Sequence, residues 1–158
     1  MKRQRVLLVI VTSLSLVVVA QVIAQPNPNQ LINSRKGAMT LQGKYFSPIL
    51  AMAQGRAPYD AKIVQRNADY LAVLSQMPWD DFQPHSLGLK NTRAKEEIAQ
   101  DQGKFRTGAE QLQAEIKALQ TAARKGDEKA VKAAAPAVAK VCNNCHENFS
   151  TMDFRFKL

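Results

Sequence analysis

Apolar residues recur along this chain at intervals of three and four, the repeat of a helix with one buried face. The pattern breaks where Gly, Pro, Asp and Asn gather. A first helix is predicted from about Gln30 to Gln54, with Leu31, Arg35, Ala38, Met39, Gln42, Phe46, Ile49, Leu50 and Ala53 on or near one stripe. Pro48 inside it removes a backbone donor, so a kink or a lost hydrogen bond is expected there. Gly55 to Pro58 reads as a turn, and a second helix follows to Gln76 with Ile63, Tyr70, Leu71, Leu74 and Met77 on its inner face. A third is predicted from Thr92 or Arg93 to near Lys125, on Ile98, Phe105, Ala109, Leu112, Ile116 and Leu119; Gly103 and Gly108 mark where it would break. Gly126 stops it and Asp127 caps a fourth, which passes Ala130, Val131, Ala134, Val138 and Val141 to about Phe149, with Pro136 as a bend. No segment reads convincingly as a strand. Short first and third connections around a longer middle one predict an all-α fold, an antiparallel four-helix bundle.

The middle connection, Pro78 to Asn91, holds Trp79, Phe82 and His85. Connections of this length in a compact domain usually cover something. Trp79 and Phe82 suit a lid over a large apolar surface, and equally suit plain anchoring of the loop on the core.

The fourth helix carries the chemistry, in Cys142-Asn143-Asn144-Cys145-His146. At about 100° per residue, Cys142, Cys145 and His146 fall within an arc of about 100° on one side of the helix. Cys-x-x-Cys-His is the spacing at which two thiols bond a haem while the next residue ligates its iron. Both of the chain's two cysteines lie in it. A thiol-disulfide centre wants its attacking thiol at a helix N-terminus near a βαβ unit, whereas Ala-rich helix precedes Cys142. Zinc needs further ligands, and the other histidine is His85. The motif therefore points to one covalently attached haem c, with Cys142 and Cys145 as the thioether positions and His146 as the iron ligand. Such a group sits between helices near one end of the bundle, and the alanines of the fourth helix leave room for it.

Residues 1–24 have a basic head (Lys2, Arg3, Arg5), an apolar run from Val6 to Ala20 and the small-residue end Val22-Ile23-Ala24, which reads as a cleaved secretory signal peptide. The run is short for a bilayer span of about 20 residues, so no membrane association is expected after cleavage. Export suits a paired-cysteine motif and, in a bacterium, places the protein in the periplasm. The remaining 25–158 form one domain. The leader takes three of the 22 basic residues and none of the 13 acidic ones, leaving a net charge of +6 that favours acidic partners. Its lysines and arginines are scattered, with no basic stripe interleaved with aromatics, which argues against nucleic-acid binding.

The chain resembles the cytochrome c' family, the class II c-type cytochromes that attach haem near the C-terminus of a four-helix bundle. The resemblance is carried by Ser34-Arg35-Lys36-Gly37-Ala38-Met39, Arg56-Ala57-Pro58-Tyr59-Asp60-Ala61, Met77-Pro78-Trp79-Asp80-Asp81-Phe82 and Val141 to Phe149. It implies that Arg35 pairs with a haem propionate, which suits a guanidinium on an apolar helix face. It also implies that Met39 lies over the distal face. If Met39 only packs there, the haem is five-coordinate, binds small diatomics such as nitric oxide and carbon monoxide, and transfers electrons. This is the favoured reading, and it implies a role in nitric oxide handling. If Met39 ligates the iron, the protein is a low-spin electron carrier with an unidentified redox partner. A peroxidase-like enzyme would need a distal acid-base group, and the first helix offers neither a histidine nor a carboxylate near Met39, so no catalytic residue is assigned. His85 is a weak alternative ligand. The family also implies a homodimer through the first two helices, for which Ile49 and Val73 are candidates. Two departures stand out: Ser150 occupies a position often basic in the family, and Thr151 to Leu158 continues further than the family pattern.

Overall fold

A computed structural model describes residues 25–158, so the expected signal peptide lies outside the described residues. Five helices follow in order: α1 Pro28–Ala53, α2 Ala61–Leu74, the short α3 Glu97–Gln100, α4 Gln102–Arg124 and α5 Glu128–Phe149. Short polar side chains start them by accepting the backbone N–H groups that a helix leaves open at its first turn. Asn27 accepts from Asn29 N at 2.9 Å, Asp60 from Lys62 N and Ile63 N at 2.9 and 3.0 Å, Asp101 from Lys104 N at 3.0 Å, and Asp127 from Ala130 N at 2.9 Å. The turn after α4 needs a left-handed residue, and Gly126 supplies it at φ +67°. Both helix-interior prolines are absorbed: α1 runs through Pro48 and α5 through Pro136 without interruption.

The four long helices close a ring in which α1 packs on α2 and α5, and α4 on α2 and α5. Phe46, Ile49, Leu50, Val64, Leu71, Ile116, Leu119, Val131 and Val138 fill its centre. Fully burying one such side chain stabilises by about 1.5–3 kcal/mol, so this cluster supplies most of the apolar drive for assembly. Every apolar position expected on the third helix, from Ile98 to Leu119, is buried.

Four expectations are corrected. The third helix does not begin at Thr92 or Arg93. Arg93 to Glu96 instead run beside the end of α5, with an isolated antiparallel bridge between Ala94 and Ser150, Lys95 N donating to Phe149 O at 3.1 Å and Thr151 N to Arg93 O at 2.9 Å. The break that follows falls at Asp101, whose carboxylate caps α4, whereas Gly103 and Gly108 both lie inside α4. The inner face of the second helix is rotated from the one expected: Val64, Asn67, Ala68 and Leu71 are buried, while Tyr70 and Met77 are 45% and 55% exposed. Ile49 is fully buried and unavailable to a partner, whereas Val73 is 58% exposed.

Candidate haem-binding site

The last two turns of α5 place Cys142, Cys145 and His146 together, each half-buried, between the buried Val141 and Phe149. Cys142 packs against the main core, and Cys145 against a second cluster built on Leu87, Ile98, Phe105 and Phe149. The two thiols thus stand where two apolar regions meet. Trp79 and Phe82, the aromatics of the middle connection, join the second cluster. Their rings stack at 6.2 Å, and Phe105 meets Phe82 at 4.8 Å, Trp79 at 5.8 Å and Phe149 at 5.3 Å. A cavity of about 460 Å³ opens beside them, lined in part by Trp79, Phe82, Ile98, Phe105 and Ala109.

Arg35 governs the loop that carries these aromatics. Only 3% exposed, it donates from Nη1 to Asp81 O at 2.8 Å and Ser86 Oγ at 2.7 Å, and from Nη2 to Ser86 O at 2.6 Å and Thr92 Oγ1 at 2.8 Å. Its guanidinium carbon lies 5.0 Å from the centre of the Phe82 ring, a cation–π arrangement. Burial lowers its pKa and the Asp81 charge partly restores it. The sequence suggested that this cation needs an anion, yet neutral oxygens of the loop already occupy four of its donor directions. The loop itself is two short 3₁₀ turns, Trp79–Asp81 and Pro84–Ser86, with Trp79 Nε1 donating to Ser75 O at 2.6 Å. His85 is turned to other use, its Nε2 lying 3.0 Å from Pro26 O. Met39 stands one turn beyond Arg35 on α1, half-buried and in neither cluster.

Burial pushes the Cys142 thiol up to about 12, with Cys145 adding to the shift and a backbone hydrogen bond opposing it. Burial likewise pushes Cys145 up to about 11. Such thiols are neutral at pH 7, the reverse of what a thiol-disulfide centre needs. Burial lowers the His146 pKa; the Phe154 backbone opposes this and the Arg155 charge adds to it. Nδ1 of His146 is buried without a hydrogen-bond partner. A buried imidazole left incomplete, two uncharged thiols on the same helix side and an aromatic wall together fit a covalently held haem.

Sequence reasoning missed what surrounds His146. Asn143, between the cysteines, donates from Nδ2 to Phe156 O at 2.9 Å and accepts from Phe156 N through Oδ1 at 2.8 Å. This folds the C-terminal segment back onto the bundle, where Phe156 meets Phe46 edge-on at 4.9 Å and Phe154 at 4.9 Å. The signal was present: Met152, Phe154, Phe156 and Leu158 alternate with polar residues, the pattern of an extended segment covering a surface.

A four-helix bundle with this attachment motif on its last helix defines a class II c-type cytochrome. The chain belongs to the cytochrome c' family, whose model matches residues 30–150, and haem c, covalently bound, is its cofactor. It is 34% identical over 122 residues to a cytochrome c' of Rubrivivax gelatinosus, covering 77% of this chain and 95% of that protein. A cytochrome c' of Alcaligenes xylosoxydans xylosoxydans is 32% identical over 122 residues, with 77% and 94% covered. The crystal structure of the Rubrivivax gelatinosus protein superposes with a TM-score of 0.75 at 33% identity, covering 80% of this chain and 99% of that one. A nitric oxide complex of a variant of the Alcaligenes xylosoxidans cytochrome c prime gives 0.74 at 30% identity, with 82% and 100% covered.

Proposed function

We propose that this protein is a periplasmic haem module that binds nitric oxide or carbon monoxide at an open iron position and passes single electrons to a redox partner, without catalysing a reaction of its own. Bound haem supplies an iron that takes one further axial ligand and cycles by one electron. Cys142 and Cys145 hold the group and His146 ligates the iron. Arg35 fixes the loop through four hydrogen bonds, so a propionate would share its guanidinium with them, and Trp79 and Phe82 would cover an apolar edge of the group. Met39 crowds the distal side without ligating.

The observation that carries this reading is the composition of α1, which packs on α5, carries Met39 and contains no histidine, aspartate or glutamate from Pro28 to Ala53. A wall of that kind admits small uncharged diatomics and leaves an anionic ligand desolvated without a partner; it also lacks a proton donor for oxygen–oxygen cleavage. Nitric oxide complexes among the structural relatives agree with it. The ferrous protein is expected to give a high-spin absorption spectrum, unchanged in spin state by Met39→Ala, and to bind nitric oxide or carbon monoxide directly. A low-spin spectrum that Met39→Ala converts to high-spin would establish methionine ligation and an electron carrier instead.

A homodimer through α1 and α2 belongs to the same proposal. Leu41, Tyr70, Val73 and Met77 are exposed, and Tyr45 lies 4.8 Å from Tyr70, so the apolar residues of the two helices adjoin. Val73→Glu puts a charge in that patch and is expected to shift the sedimentation coefficient from dimer to monomer with helicity intact. A wild-type protein that sediments as a monomer at high concentration would remove this part of the proposal.

A further inference from the structure

Residues 151–158 lie beyond the family match, which ends at residue 150, yet they are built into the site. Asn143 and Phe156 exchange two hydrogen bonds, Gln54 Nε2 on α1 donates to Lys157 O at 2.8 Å, and Phe156 packs on the main core. Between these anchors and the bridge at Ser150, the chain passes His146. The Phe154 ring lies 6.1 Å from the imidazole, centre to centre, tilted by 59°. The Phe154 carbonyl accepts from Arg155 Nη1 at 2.9 Å, and the Phe154 backbone opposes the fall in the His146 pKa that burial causes. A carbonyl that accepts one donor has capacity for a second.

We propose that Thr151–Leu158 is a strap that positions the iron ligand: Asn143 holds Phe156, and this sets the Phe154 carbonyl and ring against His146. The proposal rests on His146 as ligand. A histidine that ligates a metal through one ring nitrogen needs an acceptor for the N–H of the other, which fixes the ring and raises its strength as a donor. Buried Nδ1 lacks a partner, and the segment lies against that imidazole through Phe154, whose ring centre is 6.1 Å away and whose backbone favours the protonated ring. Phe154 is thus a positioning residue through its backbone, and its ring covers the imidazole on that side. Asn143 is the side chain that makes the arrangement depend on sequence. Where the iron would take nitric oxide, the strap would bear on how firmly His146 holds that iron.

The test compares the full holoprotein with Asn143→Ala and with a chain ending at Met152. In the full protein the Phe156 amide is expected to be protected from hydrogen exchange, and Asn143→Ala to speed its exchange about tenfold through loss of two hydrogen bonds. Resonance Raman of the ferrous proteins is expected to show the iron–histidine stretch at lower frequency in both altered chains. Their nitric oxide complexes are expected to lose His146 more completely than the full protein. Full haem content and unchanged helicity establish that Asn143→Ala is folded, so it decides the matter even if the shortened chain does not accumulate. An iron–histidine frequency identical in all three, or an unprotected Phe156 amide in the full protein, overturns the strap. Absence of any iron–histidine stretch in the full protein overturns the ligand assignment itself, a separate failure.

Discussion

Replacing Cys142 and Cys145 together with alanine is expected to give a protein that is colourless and largely unfolded at 37 °C. Both sulfurs sit at the seam between the main core and the cluster of Leu87, Ile98, Phe105 and Phe149, where bound haem c would add the filling. α5 gives the main core the small side chains Ala134, Ala135 and Ala139, and a cavity of about 460 Å³, lined by polar as well as aromatic side chains, adjoins the aromatic wall. Protein interiors are normally packed to crystal density, so an end of the bundle left short of a whole macrocycle loses more than a Phe→Ala substitution, which costs about 3–5 kcal/mol. A domain of this size has about 5–15 kcal/mol in total. Either cysteine alone retains one bond to the group, so single substitutions are expected to yield coloured protein at reduced level. The Soret absorbance and the far-ultraviolet helical signal, read on the same preparations, measure both halves of the expectation. A colourless double variant with wild-type helicity and an unchanged urea midpoint would show that the group is cargo and contributes nothing to the core.

The same local chemistry explains which parts of the fold were legible in the chain and which were not. Helices α1, α4 and α5 have buried stripes of large aliphatic and aromatic residues, so their faces could be phased from spacing alone. α2 could not, because its buried face includes Asn67 and Ala68 while Tyr70, Val73 and Met77 point outward. An apolar patch turned to solvent looks identical in sequence to a core stripe. The start of the third helix was misplaced for a related reason. Arg93 to Glu96 are acceptable helix formers, but their backbone pairs with Phe149 and Thr151 at the far end of the chain, a nonlocal contact that propensity does not register. The attachment motif was legible because its spacing is local and chemical. Asn143 was not, since an amide between two cysteines gives no hint that its partner lies 13 residues on. Nor did the spacing show that Arg35 would find its acceptors 46 to 57 residues away.

Arg35→Met is expected to be among the most damaging substitutions outside the attachment motif, lowering stability by about 3 kcal/mol and the melting temperature by about 10 °C. The guanidinium ties α1 to three points of the middle connection, Asp81, Ser86 and Thr92, and methionine keeps the aliphatic stem while removing all four hydrogen bonds. Ser86 O then loses its donor, at about 1–3 kcal/mol for an acceptor left unsatisfied, and Asp81 O falls back on the Ser86 hydroxyl at 3.2 Å. Loss of the buried charge returns part of this, because burial already disfavours that charge, as the lowered pKa of Arg35 records. Arg35→Lys is expected to recover less than half of the loss. A single ammonium cannot span acceptors arranged for the two forks of a guanidinium. Ser86→Ala should cost only about 1 kcal/mol, since the Ser86 carbonyl still receives Nη2. The ordering Met, then Lys, then the Ser86 variant, read from urea midpoints, therefore measures how far one side chain organises the loop. The loop carries Trp79 and Phe82, so the same order is expected for its cleavage by a nonspecific protease. Equal midpoints for Arg35→Met and Ser86→Ala would mean that the aromatic packing holds the loop by itself.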